Sequence, residues 1–230
     1  MKEFFCNSVF FGVMISILAY ELGMFLKKKF KFAFFNPLLI SIIVVILVLT
    51  LLHVDYDSYN AGGKYLSYLL TPATVCLAIP LYEQLAELKK NFVAIIAGIV
   101  SGTLTSLTVI LVLSVIFHLN HQQYVTLLPK SITTAIGMGV SEELGGIVTI
   151  TVAVIVVTGV LGNVIADLVC KLFRITDPVA KGVGIGTASH AIGTARALEM
   201  GQVEGAMSSL SIAVAGLLTV VGASIYSMFL

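Results

Sequence analysis

Long uncharged stretches alternate with short polar ones along this chain. Phe4–Leu26 (interrupted by Glu21), Pro37–Leu52, Phe92–Phe117, Leu144–Ala166 and Gly205–Leu230 are almost wholly apolar. Each is near or above the roughly 17 to 25 residues that a helix needs to cross the hydrocarbon, the second being marginal. They predict spanning helices. Three further segments are apolar but interrupted. Tyr65–Tyr82 carries Pro72 and Pro80, and Leu127–Gly146 carries Pro129, Lys130 and several hydroxyls. Val183–Leu198 is rich in Gly, Ser and Thr and holds His190 and Arg196. These three predict broken helices, tolerated at membrane depth only where they are buried in protein or line a wet cavity.

Composition agrees. With 58% hydrophobic and 11% charged residues, the chain has more apolar surface than a soluble domain of 230 residues can hide. The fold class expected is all-α, a polytopic membrane protein whose natural partner is the lipid bilayer. A net charge of +1, without a basic patch, argues against nucleic acid. Cys6, Cys76 and Cys170 have neither metal-ligand nor disulfide spacing and read as small core residues, so no metal and no cofactor is expected. The apolar N-terminus reads as a first span rather than a removable signal.

Orientation follows from the cations. Lys27, Lys28, Lys29 and Lys31 crowd one connection, Lys89 and Lys90 a second, and Lys171, Arg174 and Lys181 a third. All three should be cytoplasmic. The connections His53–Lys64 and His118–Tyr124 should lie outside, with the N-terminus outside and the C-terminus cytoplasmic. Three crossings between the second and third clusters would break this rule. Residues 125–143 are therefore expected to dip in and return, giving about seven spanning helices plus a re-entrant segment; the competing reading is a full span with one loop violating the rule. Thr74–Pro80 aligns with Thr187–Gly193 without gaps, and a long small-residue span follows each copy. The chain is thus expected to be a single domain, 1–230, with repeat halves 35–118 and 144–230. The charge count makes the halves inverted, with discontinuous helices, which is a transporter architecture.

Chemistry concentrates in the broken segments. Lys130 and Arg196 are ionisable groups at membrane depth and hence candidates for a site; the alternative is that they snorkel or pair with Glu142, Glu143 or Glu199. Both suit an anionic ligand. Ser131, Thr133, Thr134, Thr187, Ser189 and Thr194 can donate hydrogen bonds to a carboxylate, or serve as interhelical glue. Half-helix ends broken at Pro129 and near Gly186 would add partial positive charge. His190 titrates in a range that suits proton coupling, or is a packing histidine. Glu142 and Glu143 are proton carriers or mark where the segment meets water. No enzyme is expected: Ser189 and His190 are adjacent and diverge on a helix, and no GxSxG or HExxH is present.

The stretches LLTPATVCLAIPLYEQLAELKKN (69–91), LLPKSITTAIGMGVSEELGG (127–146) and DPVAKGVGIGTASHAIGTARALEMGQVEGAMSSL (177–210) resemble the LrgB/CidB family over nearly the whole chain. A PKSVTTP-like signature falls on Pro129, Lys130, Ser131, Thr133 and Thr134. An HGIGTARA-like signature falls on His190, Gly193, Thr194, Ala195, Arg196 and Ala197. Where the family commonly has proline after the paired threonines, this chain has Ala135, which leaves Gly137 and Gly139 to break the helix. The resemblance implies a multi-pass protein of the bacterial plasma (inner) membrane. It also implies a small LrgA/CidA-type membrane protein as partner, and leaves a homo-oligomer open. The family is named for an antiholin-like role, and the same domain ends the plastidal glycolate/glycerate translocator. Two functions are therefore expected. The first is transport of small monocarboxylates (pyruvate, glycolate, glycerate), one repeat rocking against the other. The alternative is a regulatory subunit that modulates a holin-like pore, murein hydrolase activity and cell lysis.

Overall fold

The computed structural model describes residues 9–30 and 36–230, and all regular structure among them is helical. Cys6, Lys31 and the start of the first expected span lie outside the described residues. The chain divides into two compact units, Met1–Cys76 and Leu77–Leu230. The division falls inside the expected repeat half 35–118.

The first unit contains α1 (Val9–Phe30), α2 (Pro37–Leu52), α3 (Tyr56–Ser67) and α4 (Leu70–Cys76). Helix α2 starts where Asn36 accepts hydrogen bonds from the Leu38 and Leu39 amides, with Pro37 at the first helical position. It stops at His53 in the left-handed conformation. Gly23 lets α1 approach the backbone of Pro37, and Gly12 does the same against Tyr59 of α3. Asp55 caps α3, and the Ser58 amide and hydroxyl hold its carboxyl below the ordinary carboxylate range.

The second unit contains α5 (Ala78–Glu83), α6 (Leu85–Lys90), α7 (Phe92–Ile116), α8 (His121–Leu127), α9 (Thr134–Glu143), α10 (Val148–Leu172), α11 (Pro178–Met200) and α12 (Gln202–Tyr226). Among the described residues four helices are long and apolar enough to cross a membrane: Phe10–Phe30, Phe92–Ile116, Val148–Leu172 and Gln202–Phe229; Pro37–Leu52 is shorter. The protein is therefore a helical membrane protein. The expected passage Tyr65–Tyr82 is split among α3, α4 and α5.

Val183–Leu198, counted above as a crossing, is a hairpin. His190 has φ 41° and ψ −142°, and divides α11 into arms 178–189 and 191–200. Neighbours fix the direction of each arm. Val183 and Thr187 pack at Gly98 and Gly102 of α7, and Gly182 and Gly186 at Glu204 and Ser208 of α12. Beyond the break the order reverses against α12. Thr194 meets Ser208, and Leu198 meets Gly205. Gly186, where the break was expected, is helical and pressed on the Ser208 backbone; the break falls four residues later.

Helices α8 and α9 form a second helix–break–helix element. At 1.5 Å per residue their seven and ten residues reach about 10 and 15 Å, too short to cross singly. Asn120 and Gln123 make a capping box at the start of α8. The break covers residues 128–133, after which Thr133 opens α9. Gly137 and Gly139 were expected to break the helix; both are helical inside α9, and the interruption instead follows Pro129. The chain then folds back: the Ile147 amide donates to Thr126 Oγ1 (2.8 Å), and Thr151 Oγ1 donates to the Thr126 carbonyl (2.9 Å).

Helices α7 and α12 run in the same direction. Ile95 and Ile99 cluster with Ala206 and Met207 at one end, and Leu107 and Ile110 with Ala223 at the other. The copies aligned by the Thr74 and Thr187 motifs are thus followed by parallel helices, not inverted ones, because α11 returns instead of crossing. For the same reason the C-terminus reaches the connection after α7: His121 Nδ1 lies 3.0 Å from the Leu230 carbonyl. That connection and the C-terminus share one face, which corrects the joint expectation of one outside and the other inside. Cys76 is exposed and Cys170 half-buried, so neither is the core residue expected.

Candidate anion-binding site

The first break and the first arm of α11 line one cavity with α7. Ser106 lies near the midpoint of α7, and Lys130 Nζ sits 2.9 Å from Ser131 Oγ and 3.5 Å from Ser106 Oγ, with the two hydroxyls 3.2 Å apart. Among the described residues no carboxylate pairs with Lys130. Two hydroxyl oxygens satisfy at most two of its three donors and none of its charge. Lys130 and Ser131 line a cavity of about 290 Å³ with Gly98, Gly102 and Ser106 on one side and Gly184 and Thr187 on the other. Thr187 is 6% exposed, and its Oγ1 has no hydrogen-bond partner among the described residues. A buried orphan hydroxyl costs free energy unless something in the cavity engages it. Together the ammonium, two serines and this threonine can hold a small anion by charge-assisted hydrogen bonds.

The other expected site residues lie elsewhere. Arg196 is paired with Asp167 of α10 (Nε to Oδ2, 3.0 Å) and with Glu199, and lines a different cavity with Lys171, Arg174 and Lys181. Asp167 was missed in the sequence because it reads as the end of a span; its four-residue spacing from Lys171 was the available clue. Ser189 faces Gly162 of α10, whose missing Cβ makes room for it. Thr194 is buried and bonded to the His190 carbonyl (2.9 Å) and Ser208 Oγ (2.6 Å). His190 is 2% exposed and donates from Nε2 to the Ile155 carbonyl (3.0 Å), with its ring against Gly159. Thr133 and Thr134 start α9, half-buried, and Glu142 and Glu143 end it, both exposed. Lys130, Ser131 and Thr187 are thus brought together. Ser106 joins them without any signal in the sequence beyond its place in a small-residue span. No group of three or more potential metal ligands occurs among the described residues.

Long apolar helices together with two interrupted ones define a polytopic helical membrane protein. Residues 16–229 match the profile of the LrgB-like family, and the chain belongs to that family. Relatives named antiholin-like protein LrgB from Bacillus mycoides, Bacillus cereus and Bacillus anthracis are each 38% identical over 222 residues, covering 96% of this chain and 96% of theirs. No solved structure matches the chain.

Proposed function

We propose that this chain carries small monocarboxylates of the size of pyruvate, glycolate or glycerate across the plasma membrane, with the carboxylate held at Lys130. The observation that supports this most directly is an ammonium without a carboxylate partner among the described residues, in a cavity also lined by Thr187, whose hydroxyl is unpaired there. With the Lys89–Lys90 and Lys171–Lys181 connections cytoplasmic, α7 crosses outward and α8–α9 dips in from outside. Helix α10 then crosses inward, α11 dips in from the cytoplasm, and α12 crosses outward. In this reading each hairpin is followed by a span, once in each direction. Inversion then relates residues 121–172 to residues 178–226, and the tips meet at mid-membrane as in carriers built from inverted repeats.

The names of the curated relatives favour a second reading, and do so more directly than they favour transport: an antiholin-like regulator, for which the family resemblance implies a small LrgA/CidA-type partner and a holin-like pore to act on. Purified chain in proteoliposomes separates the two. Uptake of labelled carboxylate by the chain alone supports transport, and Lys130→Ala reduces it to the level of empty vesicles while the protein stays inserted. Unchanged uptake removes Lys130 from the mechanism. Uptake absent both alone and with the small partner leaves the regulatory reading.

A further inference from the structure

Helix α10 ends at Leu172, and the turn that follows is closed by the Ile175 amide donating to the Cys170 carbonyl (2.8 Å). Arg174 holds this turn at φ 55°, in the left-handed region where glycine or asparagine is usual. The arginine stands there against its backbone preference, at the end of an apolar helix long enough to span and so at the level of lipid headgroups. With Lys171 and Lys181 it lines a cavity of about 690 Å³. Lys171 and Arg174 are exposed and Lys181 is half-buried, and none of the three enters an ion pair among the described residues. The carboxylates on the same wall do not pair with them: Asp167 is taken by Arg196, and Glu204 folds back over Gly201.

The cavity continues through Cys170, Ile175 and Lys181 into an open groove of about 200 Å³ between α10 and the first arm of α11. Its walls are apolar and mostly of small residues: Gly162, Ala166 and Val169 on α10, Ala180, Gly184 and Ala188 on α11. From Ala180 to Ala188 it runs about 12 Å along the helix pair, away from the cations. Gly184 is exposed, and a Cβ there would meet nothing within 4 Å. Its backbone is helical, where glycine is disfavoured. Neither packing nor conformation calls for glycine at 184; what the missing side chain does is widen the groove. A cationic mouth at headgroup level, with an apolar trough leading from it into the bilayer, matches the two halves of a phospholipid.

We infer that this end of the α10–α11 pair binds an anionic phospholipid, its phosphate among Lys171, Arg174 and Lys181 and one acyl chain along the groove past Gly184. Basic recesses between membrane helices take anionic headgroups in this way. The inference is independent of what the chain carries. A soluble phosphate would meet the same cations but leave the groove empty, and a zwitterionic lipid would fill the groove but bring its own ammonium to the cations. The delipidated chain in neutral detergent is given equal amounts of phosphatidylglycerol and phosphatidylcholine with the same acyl chains, and the first lipid retained is counted by native mass spectrometry. Phosphatidylglycerol is retained about tenfold or more over phosphatidylcholine. Lys171→Gln with Lys181→Gln removes that preference. Lys89→Gln with Lys90→Gln, which takes as much charge from another connection, leaves it in place. Gly184→Leu fills the groove and weakens retention of both lipids severalfold, and excess glycerol phosphate displaces neither. Circular dichroism confirms the parent's helix content in each variant. A preference that survives Lys171→Gln with Lys181→Gln, or is lost equally with Lys89→Gln and Lys90→Gln, overturns the inference. Lipid displaced by glycerol phosphate, or retained by Gly184→Leu as by the parent, overturns it too, because the groove then plays no part.

Discussion

The hairpin in α11 places two glycines of one helix in opposite circumstances, and this yields a controlled measurement. Gly186→Ala and Gly184→Ala are the same chemical change two residues apart. Each gains the helix preference of alanine over glycine, about 1 kcal/mol, and that gain cancels in the comparison. What differs is space. The new methyl at 186 would sit 2.8 Å from Ser208 Cα and 2.9 Å from its carbonyl carbon, whereas at 184 it meets nothing. Backbone cannot swing aside as a side chain can, so α11 and α12 must separate. Overpacking of this kind costs about 1–3 kcal/mol, and the backbone contact puts the expected value toward the upper end. Unfolding by SDS titration in mixed micelles, followed by circular dichroism, should show Gly184→Ala at least as stable as the parent and Gly186→Ala less stable than Gly184→Ala by that amount. If the two variants agree within about 0.5 kcal/mol, the first arm of α11 does not lie on α12 as described.

At position 190 the usual order of glycine and alanine should reverse. Both lose the bond to Ile155, but only glycine adopts φ 41° without strain, so His190→Gly should be more stable than His190→Ala by about 1–2 kcal/mol in the same titration. Thr126→Val leaves the Ile147 amide without its acceptor. It should cost about 1–3 kcal/mol and raise hydrogen exchange at Ile147 before the rest of α10. A double-mutant cycle of Arg196→Gln and Asp167→Asn should give a coupling of about 0–1 kcal/mol, because the two side chains are 27% and 44% exposed. A coupling of several kcal/mol would mean that the pair is sealed from water.

What the sequence made legible was governed by hydropathy and by proline. The uncharged runs Phe92–Phe117 and Gly205–Leu230 correspond to α7 and α12 within a few residues, and the interruption after Pro129 follows from a missing donor. The hairpin in α11 was not legible, because nothing local compels it. The break falls at a histidine with positive φ, while Gly182 and Gly186, the residues that look like breakers, serve close packing against α12. That single reversal sets the direction of α12 relative to α7 and the end of the unit at which residue 230 lies. Lys130 and Arg196 looked equivalent as cations in polar segments. They differ in their neighbours: Asp167, 29 residues away, and Glu199 both pair with Arg196, and no carboxylate reaches Lys130 among the described residues.

This difference in neighbours is why the proposed anion site lies at Lys130 and not at Arg196. Arg196 already faces two carboxylates, so an incoming anion must displace one and gains little. Lys130 is mostly removed from water with only hydroxyls beside it, and an uncompensated charge so placed costs several kcal/mol. An anion bound at Lys130, as proposed, would offset that cost. Lys130→Met, of similar length and uncharged, should raise the stability of the ligand-free protein by about 1–2 kcal/mol while removing its response to ligand. In the parent, a carboxylate at 100 times its dissociation constant should add about 2.7 kcal/mol; in Lys130→Met it should add nothing. A Lys130→Met chain less stable than its parent would mean that the ammonium is well solvated or paired in the resting protein. Equal stabilisation of both chains by the carboxylate would place the anion somewhere other than Lys130.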